Sequence, residues 1–116
     1  MIDILINGRT FKFLVDTGAS VNVMNEREFE KLQNVKLHRT STKIYGFGNN
    51  SPIELRGMIE TPIIYKGNSA VTKIFVTSDR SSVSLLSYET SVKLGILNEI
   101  NHVSSSDIYK KFPKLF

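Results

Sequence analysis

Apolar and polar residues alternate with a period of two along most of this 116-residue chain, the mark of half-buried strands rather than helices. Residues 2–6, IDILI, alternate, Asn7-Gly8 follows, and residues 10–15 alternate again. An Asn-Gly pair between two such runs predicts a tight hairpin. Residues 36–45 read as irregular chain passing into a strand. The turn-rich residues 46–52, GFGNNSP, predict the tip of a long hairpin whose returning arm includes Ile53-Glu54-Leu55. Residues 61–65 and 71–77 flank Lys66-Gly67-Asn68 and predict another hairpin, and Val83-Ser84-Leu85-Leu86 a short apolar strand. Two segments break this period. Asn25 with Glu28 three residues on fits a capping box and predicts a helix over 26–33 that buries Phe29 and Leu32. Ser87 as cap and Gly95 as stop predict a second helix over 88–94. Beyond Asn98 the pattern fades into a Ser-rich linker and the tail IYKKFPKLF. The chain therefore divides into a mainly β domain, residues 1–97, with one or two short helices, and a tail, residues 98–116.

Composition narrows the chemistry. There is no cysteine, which excludes disulfides, thiolate zinc sites and a Cys nucleophile and is compatible with a reducing, cytoplasmic setting. No apolar run approaches the roughly 20 residues of a membrane helix, and the first residues lack the basic start and cleavage site of a signal peptide. The net charge is +4, with basic residues scattered rather than gathered on one stripe. That argues against a nucleic-acid partner. His38 and His102 have no acidic or His neighbour at metal-ligand spacing, so neither a metal nor a cofactor is expected.

One segment carries candidate chemistry. In FLVDTGAS an apolar run delivers a single carboxylate, Asp16, into a Thr-Gly turn, and the chain resumes as Val21-Asn22-Val23-Met24. An Asp-Thr-Gly triplet is also compatible with an ordinary surface turn. Its setting adds weight. The hairpin IDILINGRTFKFLV before it, the glycine-bearing hairpin KIYGFGNNSPIELRG after it, the pair Leu85-Leu86 with Ser87, and the helix YETSVKLGIL come in the order that resembles retropepsins, the aspartic proteases of retroviruses and LTR retrotransposons. Those of gypsy-class retrotransposons look most similar, and the tail resembles the segment that leads into reverse transcriptase in such polyproteins.

The resemblance implies a single retropepsin-like closed β-barrel with a flap hairpin, acting as an aspartic endopeptidase on its own polyprotein, in the cytoplasm or within virus-like particles. It implies Asp16 as the catalytic residue and Thr17, Gly18 and Ala19 as the active-site loop. Leu14, Ser20, Val21, Tyr45, Gly46, Phe47, Gly48, Val83 and Leu85 become the substrate-binding residues. In the resembled family the hydroxyl at the Thr17 position bonds across a dimer. Aspartic proteolysis needs two carboxylates that share one proton. The chain has four aspartates, Asp3, Asp16, Asp79 and Asp107, and only Asp16 sits in this triplet. An aspartic protease of this sequence is therefore a homodimer with one Asp16 from each copy.

Three departures bear on the dimer. Ser87 stands where the family often has Gly. Tyr88 and Ser20 stand where many retroviral members pair an Arg with an acid. Fifteen residues precede Asp16, short of the N-terminal interface strand of retroviral members, which suggests a sequence cut from a longer chain, a different interface or a weak dimer. The alternative reading is a dimerisation or binding module of the same fold with little or no turnover.

Overall fold

Asn7 and Gly8 take positive φ values of 51° and 77°, the left-handed pair that a two-residue hairpin turn needs. They join β1 (Ile2–Ile6) to β2 (Arg9–Val15) in an antiparallel pair. Lys66 and Gly67, at 46° and 84°, do the same between β4 (Leu55–Tyr65) and β5 (Asn68–Thr77). The second hairpin is longer than the sequence suggests. β4 runs unbroken from Leu55, and Asn68 is already its partner strand. The structure, a computed structural model, describes residues 1–45 and 52–97.

Between the hairpins lie β3 (Asn22–Asn25) and α1 (Glu26–Phe29); β6 (Leu85–Leu86) and α2 (Tyr88–Lys93) follow them. The strands close into a barrel in the order β1-β2-β6-β3-β5-β4. Two joins are parallel, β2 with β6 and β3 with β5. All four residues of β3 are buried, as befits a strand covered on both faces.

Alternation sorts the side chains. β1 turns Ile4 and Ile6 inward, β2 Phe11 and Phe13, β4 Ile59, Ile63 and Tyr65, and β5 Ile74 and Val76; Met24, Leu86, Leu94 and Ile96 complete the core. Burying each of these side chains contributes roughly 1.5–3 kcal/mol.

Two further expectations change. α1 ends at Phe29 instead of reaching residue 33. Its continuation tightens into three-residue turns, Lys31 N–H to Glu28 O and Leu32 N–H to Phe29 O, and Asn34 stops it with a φ of 61°. Asn25 does cap it, its side chain accepting from the Glu28 amide at 2.8 Å, and Phe29 and Leu32 pack half-buried against the core. No strand leads into Tyr45. His38 meets Met58 and Tyr45 meets Pro52 as isolated bridges. α2 matches its expectation, with Ser87 as cap and Gly95 at a φ of 74°.

The returning arm of the predicted flap enters β4 through a register shift between Leu55 and Gly57. The backbone of His38 crosses here, exchanging two 2.8 Å hydrogen bonds with Met58. A Cβ on Gly57 would lie 2.5 Å from the His38 carbonyl oxygen and 2.9 Å from Leu37 Cγ. Since one of those atoms is backbone, the strand must shift. Gly57→Ala therefore lowers stability by about 1–3 kcal/mol, read as a lower urea midpoint with an unchanged slope.

Candidate active site

β2 alternates Phe11 and Phe13 inward with Lys12 and Leu14 outward, and Asp16 leaves the end of this strand half-buried. The loop it opens is fastened by backbone bonds. Asp16 N–H donates to Leu86 O at 3.0 Å, Ala19 N–H to Asp16 O at 2.9 Å, and Tyr88 N–H to Ala19 O at 3.3 Å. Gly18 N–H donates to Asp16 Oδ1 at 3.0 Å, which orients the carboxylate. A Cβ on Gly18 would meet only that oxygen, at 3.4 Å. A single copy of the chain thus leaves room for a side chain there.

Thr17 is 8% exposed, and its Oγ1 is buried with no hydrogen-bond partner among the described residues. Leaving a buried hydroxyl unpaired costs about 1–3 kcal/mol. The other described aspartates are engaged elsewhere. Asp3 pairs with Lys12 at 2.7 Å. Asp79 accepts from the Ser81 amide at 2.8 Å and from its hydroxyl, and the amide foremost holds its carboxyl below the usual range.

The loop rests on a buried polar network that the sequence reading did not single out. Asn22 Oδ1 accepts from Ser87 N–H at 2.8 Å. Its Nδ2 lies 2.9 Å from Thr90 Oγ1 and Lys73 O and 3.0 Å from Thr72 Oγ1. Ser91 Oγ donates to Ser87 O at 2.7 Å. Asn22 thereby ties β3 to β5 and to the residue that follows Leu86, whose carbonyl holds Asp16. The available signal was a lone Asn inside the apolar run VNVM, since a buried amide needs partners. Ser87 is used twice here, as helix cap and as backbone donor, so its side chain is built into the fold.

The apolar residues named from the sequence are not plain core. Leu14, Val83 and Tyr45 are 44%, 48% and 53% exposed, and Leu85, half-buried, pairs with Leu14. Leu14 and Leu85 thus sit on the paired strands whose ends hold Asp16. Val21 is half-buried and Ser20 exposed. The arms of the predicted flap meet at Tyr45 and Pro52, with Ile53 N–H donating to Ile44 O at 2.6 Å. Gly46, Phe47 and Gly48, named for its tip, lie outside the described residues, as does the tail from residue 98. Among the described residues no three acidic or His side chains gather closely enough to hold a metal ion. A cavity of about 600 Å³ opens beside Asn7, Arg9 and Lys31, at the opposite end of β2 from Asp16.

The fold agrees with comparisons to known proteins. Residues 2–86 match the family model described as "gag-polyprotein putative aspartyl protease". The chain is similar to the solved structure of EIAV protease complexed with the inhibitor HBY-793, with a TM-score of 0.69 and 26% sequence identity over 80% of this chain and 85% of that one. Comparison with curated protein sequences gives no match.

Proposed function

Because the chain belongs to the gag-polyprotein aspartyl protease family and has a retroviral-protease-like fold, we propose that it is an aspartic endopeptidase, active as a homodimer. Asp16 from each of two copies forms the catalytic pair. The observation that supports the dimer is the buried Thr17 hydroxyl, which has no partner among the described residues, next to Asp16. A twofold axis next to this loop supplies both missing groups at once, a second Asp16 and a hydrogen-bond partner for Thr17. It also gives Gly18 a neighbour that a side chain would obstruct.

The chemistry follows from two carboxyls that share one proton. The ionised one takes a proton from a water as its oxygen attacks the scissile carbonyl carbon. The protonated one donates to the carbonyl oxygen as the tetrahedral intermediate forms. Collapse breaks the C–N bond, with a proton passing to the leaving amine. Leu14, Val83 and Leu85 receive apolar side chains on either side of the cut, and the hairpin through Tyr45 holds the extended peptide by strand addition. The substrate is a polyprotein that contains this domain, of a retroelement resembling the gypsy class.

The test is cleavage of a precursor that spans both ends of the domain, at mildly acidic pH, with and without a pepstatin-type inhibitor. Inhibitor-sensitive cleavage supports the reading, and an intact precursor with a demonstrably dimeric protein contradicts it. The dimer has its own test. Thr17→Val removes the hydroxyl and keeps the volume. It leaves the folding of the single copy intact or improved, since an unpaired buried group is gone, and weakens dimerisation about tenfold or more, measured by analytical ultracentrifugation. Thr17→Ser restores the dimer.

A further inference from the structure

The four-residue helix α1 stands between two parts of the proposed cleft. On one side is the arm that carries the flap into β4, at Glu54–Arg56. On the other is the loop of residues 78–84, which carries Val83. Asn25, the helix cap, donates from Nδ2 to Ser82 O, directly before Val83. Glu26 N–H donates to Asp79 O at 3.1 Å, and Ser78 N–H to Glu54 O at 3.0 Å. Arg80 grips Glu30 with both ends of its guanidinium, at 2.8 and 3.0 Å, and its Nη1 lies 3.9 Å from Glu26 Oε2. Arg56, on the flap arm, pairs with the other oxygen of Glu26.

Glu26 is the hub. Its side chain is only 15% exposed, so its charge is less screened than that of an ordinary surface carboxylate. Two arginines, one from the flap arm and one from the 78–84 loop, converge on it. The hydrogen bonds from Arg80 hold the Glu30 carboxyl below its usual range, and those to Glu30 raise Arg80 in turn. A two-pronged arginine–carboxylate pair also fixes orientation, which a single point contact does not.

We propose that α1 is a common anchor for the flap arm and the Val83 loop, and that Glu26, with Glu30, Arg56 and Arg80, positions the apolar pockets and so sets which side chains the enzyme accepts. This rests on the protease reading above and extends it to residues that touch neither substrate nor Asp16. The flap arm and the loop that carries Val83 are thereby held in one arrangement, because both share one carboxylate.

The test is Glu26→Gln, which keeps the shape of the side chain and removes its charge, with Glu30→Gln beside it. Backbone hydrogen exchange at low ionic strength reads the anchoring without reference to activity. Glu26→Gln accelerates exchange of residues 53–58 and 78–82 together by about fivefold or more, while residues 2–15 are unchanged. Glu30→Gln accelerates residues 78–82 alone. Acceleration of only one segment in Glu26→Gln, or of the whole barrel, overturns the anchor. On peptides with Leu or Phe before the cut bond, Glu26→Gln raises KM about three- to tenfold and changes the Leu-to-Phe preference, with kcat within about twofold. A fall in kcat at constant KM and preference overturns the positioning role. If the unsubstituted protein cleaves neither these peptides nor the precursor, the protease reading falls and the specificity role with it, while the exchange result still decides the anchor.

Discussion

Asp16→Asn eliminates peptide-bond cleavage, by about 10⁴-fold or more, and leaves the barrel folded. The size of the loss follows from the proposed arrangement. One substitution in the gene removes both carboxyls of the pair, and with them the base that activates water and the acid that polarises the carbonyl. The fold is spared because Asp16 is half-buried at the end of β2, and the bonds that fix its loop are made by backbone groups, Asp16 N–H to Leu86 O and Ala19 N–H to Asp16 O. The side-chain bond from Gly18 N–H to Oδ1 is retained by the carbonyl oxygen of Asn. Unfolding curves of the two proteins therefore superimpose within about 1 kcal/mol, while rates on the precursor separate completely. A variant that keeps even a hundredth of the activity contradicts the assignment of Asp16.

Asn22→Ala has the largest expected effect on stability. Asn22 is 3% exposed, and its amide meets Ser87 N–H, Lys73 O and the hydroxyls of Thr72 and Thr90. Truncation strands the Ser87 amide and the Lys73 carbonyl in the interior and leaves a hole. With about 1–3 kcal/mol for each buried group left unpaired, the loss is about 3–5 kcal/mol, a large share of the 5–15 kcal/mol that holds an ordinary domain together. Chemical denaturation measures it. Asn22→Asp is no rescue. It still accepts from Ser87, but brings a carboxylate against the Lys73 carbonyl and the two hydroxyls. A loss below about 1 kcal/mol in Asn22→Ala would mean that the network does not support the loop.

Local features of this fold were legible in the chain. The two hairpins turn where left-handed Asn7-Gly8 and Lys66-Gly67 sit, because a two-residue turn is specified by its own residues. Both helix caps, Asn25 and Ser87, were readable for the same reason. The parallel joins were not. Nothing within Leu85-Leu86 says that it lies beside Leu14-Val15, or that Asn22–Asn25 lies beside Ile74–Thr77; such pairing is decided by the closure of the whole barrel. The early end of α1 was also hidden, since EKLQ has good helix propensity and tertiary context overrides it. At the site, Asp-Thr-Gly stood out as a motif, and the outward parity of Leu14 followed from alternation. The partners of Asn22 and of the Glu26 hub were not legible, because they lie 30 to 68 residues away in sequence.

The central claim is that each copy of the chain contributes one Asp16 to a shared pair. It is tested most directly by mixing the unsubstituted protein with Asp16→Asn at constant total concentration, well above the dimer dissociation constant, and following cleavage of the precursor. If every active particle needs two intact copies, activity falls as the square of the unsubstituted fraction, to about one quarter at an equal mixture. A linear fall, to about one half, would mean that a single copy cleaves on its own and would contradict the shared pair.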